Sequence, residues 1–151
     1  AAEQGVVNAQ YSLGGMYHEG KGIPQDLKGA IKWFSKAAEQ DHASAQTALG
    51  LMYHEGKGIP QDLKGAVKWY RKAAEQGFAP AQFNLGMSYR DGQGVPQDYK
   101  EAYAWYSVAA ANGQAEAVNR RDEVALNLTA EQLAESQALA KVYFVKYQPK
   151  Q

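Results

Sequence analysis

Three histidines, sixteen carboxylates and no cysteine are the reactive inventory of this 151-residue chain. His18 and His54 each sit in the string Tyr-His-Glu-Gly, thirty-six residues apart. A histidine beside a glutamate suggests metal binding or acid–base work. Two copies in one repeat register are, however, set about 10 Å apart by helix packing. Zinc needs its ligands at roughly 2.0–2.1 Å from a shared ion, so both read as surface or groove histidines. His42 stands alone near a turn and reads as solvated. Gly20-Lys21-Gly22 has a faint likeness to a phosphate loop, which requires Gly-x-x-x-x-Gly-Lys-Ser/Thr after a strand. Here the flank is helical and Ile23 stands where the hydroxyl should be. No thiol is present, and no Ser–His–acid set shows a local signature. The chain reads as a non-enzyme with no metal and no cofactor.

The elements that carry these residues are legible from a repeat. Met16 to Ala30 is identical to Met52 to Ala66, and a diverged third copy runs from Ser88 to Ala102. Each unit predicts two helices. Helix A spans roughly Asn8–His18, with Ala9, Leu13, Met16 and Tyr17 on one side. Helix B spans roughly Asp26–Gln40. Its Leu27, Ala30, Ile31, Phe34, Ala37 and Ala38 face one way, and Lys28, Lys32, Ser35 and Glu39 face the other. Trp33, Trp69 and Trp105 are expected to fill core volume, at roughly 3–5 kcal/mol for Trp69→Ala. The tyrosine stripe Tyr17, Tyr53 and Tyr89 reads as inter-helix core.

Gly20 to Pro24 breaks the chain between A and B. Asp26, Asp62 and Asp98 start helix B, and Asp98 to Glu101 has the capping-box pattern. Gly77 and Gly113 end B helices in the left-handed conformation, with Asp41 in that place once. The resulting fold is all-α: an α/α right-handed superhelix of helix–turn–helix repeats. Three repeats (about 1–36, 37–72 and 73–112) are followed by capping helices over 113–151. There Thr129 to Gln132 offers another capping box, and a last helix runs to about Tyr147.

Sixteen basic residues balance sixteen acidic ones. No quarter of the chain departs from neutrality by more than two charges, which gives no nucleic-acid footprint. No apolar run reaches the roughly 18 residues of a membrane span. Ala1 to Gly5 match the ends of later repeats, so the natural protein is expected to continue upstream. The compartment stays open, periplasm or cytoplasm. The uncapped first repeat leaves self-association open.

The pattern Ala-Gln-x-x-Leu-Gly-x-x-Tyr-x-x-Gly-x-Gly-x-Pro-x-Asp, followed by Ala-x-x-Trp-Tyr/Phe-x-x-Ala-Ala, resembles the Sel1-like repeat family, relatives of the tetratricopeptide repeats. The resemblance covers Ala1 to about Ala111. It implies a right-handed superhelix with A helices on the concave side, and bacterial adaptor work by protein–protein interaction. One cysteine-rich branch of the family is linked to β-lactam binding or hydrolysis. That activity does not carry over to a chain without cysteines, although a small-ligand or hydrolytic envelope protein is the alternative reading.

The outward side of helix A is where a partner would sit. The wheel places Asn8, Tyr11, Ser12, Gly15, His18 and Glu19 there, with Thr47, Leu51, His54, Phe83, Asn84, Met87 and Arg90 among their register mates. Outward apolar residues mark binding surfaces. Leu51 and Met87 read as groove residues, whereas Tyr11 and Phe83 fit groove or packing equally. The expected site for a protein or peptide partner is therefore Tyr11, Thr47, Leu51, His54, Phe83, Asn84, Met87 and Arg90. Apolar anchors combine there with Asn84 hydrogen bonds and His54 and Arg90 charge.

Overall fold

A computed structural model describes residues 2–149. Among the described residues eight helices form in chain order: α1 (Ala2–Glu19), α2 (Leu27–Glu39), α3 (Ala43–Glu55), α4 (Leu63–Ala74), α5 (Ala79–Asp91), α6 (Tyr99–Ala111), α7 (Glu116–Ala125) and α8 (Ala130–Lys146). No strand occurs among the described residues. The all-α hairpin architecture is as the sequence predicts, although α1 begins well before Asn8. The chain divides into two compact units, Ala1–Lys72 and Ala73–Gln151.

Each A–B hairpin is closed by the same three bonds. The backbone N–H groups of Asp26, Asp62 and Asp98 donate to the carbonyls of Tyr17, Tyr53 and Tyr89, each at 2.9 Å. The Gln25, Gln61 and Gln97 amides donate to the carbonyls of His18, His54 and Arg90, also at 2.9 Å. The aspartates then cap helix B, accepting from Gly29 N–H at 3.1 Å and Gly65 N–H at 2.9 Å. The glycines make room for the cap, because a Cβ on Gly65 would lie 2.6 Å from Asp62 Oδ2. Asp98 likewise accepts from Lys100 and Glu101 N–H. The expected reciprocal arm of that box is spent elsewhere: Glu101 takes the Tyr143 hydroxyl on both carboxylate oxygens. The Thr129–Gln132 box is closed in both directions. Asp41 adopts φ 63, the left-handed place that Gly77 and Gly113 fill after later B helices.

Packing within a hairpin is a glycine–aromatic fit. A Cβ on Gly14 would lie 2.6 Å from the Phe34 ring, one on Gly50 2.7 Å from Tyr70, and one on Gly86 2.8 Å from Tyr106. The A helices are tied back to the preceding B helix by fully buried glutamines. Gln46 donates to Ala38 C=O and Gln82 to Ala74 C=O, both at 3.0 Å.

The tryptophans diverge from expectation. Trp105 is 1% exposed. Trp33 and Trp69 are only half-buried, with Trp69 against the first unit's core and lysine ammoniums over both rings. The difference is α8 and its C-cap, whose Tyr143 and Tyr147 respectively stack on Trp105 at 4.5 and 5.4 Å. A helix not coded by the repeat thus completes the burial of one tryptophan, and the other two stay half-buried. The 3–5 kcal/mol expected for Trp69→Ala belongs to Trp105. The tyrosine stripe does pack on the cores, half-buried.

Candidate functional site

The first unit holds an open pocket of about 260 Å³ between α1 and α3. Tyr11, Phe34, Ala48, Leu51 and Met52 give it apolar walls, and His18, Glu19, Glu55 and Lys57 stand around it. Its origin can be read from register. Positions 15, 51 and 87 are equivalent, carrying Gly, Leu and Met. A Cβ built on Gly15 meets nothing within 4 Å, so the pocket exists where later repeats put a large side chain. The aromatic at the hairpin glycine is Phe34 here, against Tyr70 and Tyr106 in the other two repeats, which keeps the floor free of a hydroxyl. Tyr106 shows what the hydroxyl costs: it is buried without a hydrogen-bond partner, and burial pushes its pKa up to about 12.

The rim carboxylates are paired locally, Glu55 to Lys57 at 2.8 Å and Glu19 to Lys21 at 3.1 Å. These are exposed pairs of small energetic weight. Among the described residues no group of three or more His, Asp or Glu side chains converges as a metal site. What the geometry offers is shape and apolar contact with an exchangeable charged edge.

Of the predicted residues, the pocket gathers Tyr11 and Leu51. Tyr11 stacks on His42 at 4.7 Å and lies 5.7 Å from Phe34. Leu51 is 40% exposed. Thr47 is a correction: it is 6% exposed and its hydroxyl donates to Ala43 C=O at 2.9 Å. His54 does not line the pocket, and its register mate His18 does. A groove between two helices takes the facing edge of each, positions 15, 18 and 19 from α1 but 48, 51, 52 and 55 from α3. A single-helix wheel merges those edges. Met52, assigned by the wheel to the core side, and Lys57, in the loop, were missed for the same reason. The Gly/Leu/Met contrast at one register position was the available signal.

In the second unit Phe83 and Met87 are half-buried against a core that includes Tyr106, Ala117 and Val124. Phe83 lies 5.5 Å from the Tyr106 ring. The groove reading of Met87 is therefore corrected to packing, since α7 contributes to that core. Asn84 is half-buried and its carbonyl accepts from Ser88. Arg90 donates to both oxygens of Asp91 at 2.8 and 3.0 Å, which holds that carboxyl below its usual pKa. Both border a polar recess of about 480 Å³ with Gln97, Tyr99, Glu123 and Asn127. His42 is also corrected. It is the N-cap of α3, accepting from Ala45 N–H at Nδ1 and contacting Asn8 Oδ1 at 3.0 Å.

Hairpins that repeat the same locks, with a pocket opened between neighbouring A helices, define a tandem α-hairpin repeat protein. The Sel1 repeat model matches residues 7–42, 43–78 and 79–114, and the chain belongs to the Sel1 repeat family. Proteins of this family generally act as protein–protein interaction scaffolds and are generally non-enzymatic. A Sel1 repeat protein from Oxalobacter formigenes is similar over 76% of this chain at 43% identity, TM-score 0.74. A protective antigen of uropathogenic Escherichia coli displaying an SLR fold is similar over 97% at 33% identity, TM-score 0.79. The chain spans 46% and 39% of those two proteins. The cysteine-rich protein B of Helicobacter pylori aligns over 78% of this chain and 90% of its own length at 26% identity, TM-score 0.65. No curated protein sequence gives a significant match. Among the described residues no helix is long and apolar enough to cross a membrane.

Proposed function

We propose that the chain is a peptide-docking scaffold whose anchor point is the Gly15 pocket of the first unit. The observation that carries this reading is the missing side chain at position 15, which opens an apolar-floored recess between α1 and α3. Its volume of about 260 Å³ lies under the roughly 300–1,000 Å³ usual for small-molecule sites. It suits one large apolar side chain presented by a peptide or helix. Tyr11 and Leu51 would flank that side chain. Glu19, Glu55 and Lys57 would meet the partner's polar neighbours, giving the apolar centre and polar rim of an interface.

The test uses peptides selected by display against the intact chain, measured by calorimetry and by amide shifts at Gly15, His18 and Leu51. Gly15→Met should fill the recess and Leu51→Glu should charge its wall. Each is expected to weaken binding by about 2 kcal/mol or more, roughly thirtyfold, as for a hot-spot anchor. Thermal melts should show no loss of stability, because position 15 is open and Leu51 is exposed. Selected peptides that bind Gly15→Met as tightly as wild type would sink the assignment.

A further inference from the structure

The outer faces of the B helices carry a second surface. Positions 28, 64 and 100 share a register, as do 32, 68 and 104, and 36, 72 and 108. In α2 and α4 these are all lysines, whereas α6 carries Lys100, Ala104 and Val108. The change coincides with a helix. On α6, Ala104 and Val108 are fully buried, Trp105 is stacked beneath Tyr143, and Lys100 pairs with Glu135 of α8 at 3.0 Å. Among the described residues no aromatic ring stacks on Trp33 or Trp69 as Tyr143 does on Trp105. Lys28, Lys32, Lys36, Lys64 and Lys68 are exposed, and none has a carboxylate within ion-pair distance among the described residues. Trp33 lies under Lys36 at 4.5 Å and Lys32 at 5.5 Å, and Trp69 under Lys68 at 5.9 Å.

We propose that this face of the first unit docks an acidic amphipathic helix of a partner protein, in the way α8 docks on α6. Carboxylates of the incoming helix take the lysine rows, as Glu135 takes Lys100. An aromatic side chain takes the face of Trp33 or Trp69, as Tyr143 takes Trp105. The spacing agrees: lysines four apart rise about 6 Å along the axis, the spacing of carboxylates four apart on a helix laid alongside. Charge complementarity selects an acidic partner. The precedent in the same molecule selects a helix. The indoles are half-buried and lie beneath ammonium groups, rather than projecting as interfacial anchors of a membrane-bound protein do. This surface is separate from the Gly15 pocket and does not depend on it.

The test uses the full chain and a synthetic helix with glutamates at every fourth position of one face. It carries a tyrosine at the spacing that separates Glu135 from Tyr143. Controls are a scrambled peptide of equal composition, phosphatidylserine vesicles and duplex DNA. Expected is saturable binding of the helix that weakens with salt, drops about tenfold or more in Lys32→Glu/Lys68→Glu, and drops measurably in the milder Lys32→Ala/Lys68→Ala. Tryptophan emission should change on binding, and the change should vanish in Trp33→Phe/Trp69→Phe, which leaves Trp105 in place. Gly15→Met should leave this binding intact, so the two sites fail or succeed separately. Equal binding of the scrambled peptide, tighter lysine-dependent binding of vesicles or DNA, or indifference to the lysine variants would each overturn the proposal.

Discussion

His42 looks solvated in the sequence and is instead tied on both ring nitrogens. Ala45 N–H can only donate, so Nδ1 must hold a lone pair and the proton sits on Nε2, facing Asn8 Oδ1. Protonating Nδ1 breaks the cap. Burial accordingly lowers the His42 pKa from its ordinary 6.5. With the folded value depressed, its contribution to stability is present above the unfolded pKa and is lost as pH falls through the folded one. The melting temperature should therefore fall as the pH drops below about 6.5. His42→Asn keeps an N-cap without a titrating ring, and should flatten that fall. His42→Ala should cost about 1 kcal/mol at neutral pH. An unchanged acid slope in His42→Asn would remove His42 as its source. The repeat equivalents, Phe78 and Gln114, carry no such ring, so this cap could not be inferred from the repeat.

Between elements, adjacent glycines of one helix do opposite jobs. Gly14 is roofed by Phe34 and has no room for a methyl group, whereas Gly15 faces open space. Gly15→Ala should raise stability by about 0.5–1 kcal/mol, because a helix-interior glycine gives way to the best helix former. Gly50→Ala and Gly86→Ala should lower it by about 1–3 kcal/mol, since the Tyr70 and Tyr106 rings must move. Denaturant melts of the three variants read the contrast directly, and the same sign for all three would refute the packing account. The periodic pattern shows that glycine recurs at 14, 50 and 86. Only the helix contacts reveal that an aromatic ring lies against each of them.

For the molecule as a whole, the stability of the second unit hinges on α8. That helix buries Trp105, closes Tyr143 onto Glu101, and reaches Gln82, whose amide also donates to Tyr147 C=O. A chain ending at Leu128 would uncover the Trp105 ring and the apolar Ala104 and Val108. It is expected to aggregate or melt far earlier than the full chain. Trp105→Ala should cost roughly 3–5 kcal/mol, and Trp33→Ala distinctly less. A truncated chain that stays soluble with an unchanged melting temperature would show that α8 is not a cap.

The sequence alone determined the helix–turn–helix repeat, its turns and the aspartate and Thr129 caps. Those depend on local rules: glycine and proline at breaks, aspartate at helix starts, and apolar residues at helical spacing. The wheel also put Leu51 and Thr47 on the outward side alike, and only Leu51 is exposed, while Tyr11 packs on the first unit's core. What it left undecided was which outward residues remain open. Trp105 is buried where Trp33 is half-buried, and Met87 packs on the second unit's core where Leu51 is 40% exposed, although each pair shares a register and a residue class. That outcome is set by α7 and α8, which break the repeat and pack through contacts distant in sequence. A periodic code is blind to the place where the period ends, so the tertiary structure decides which copies of a repeated surface are free to bind.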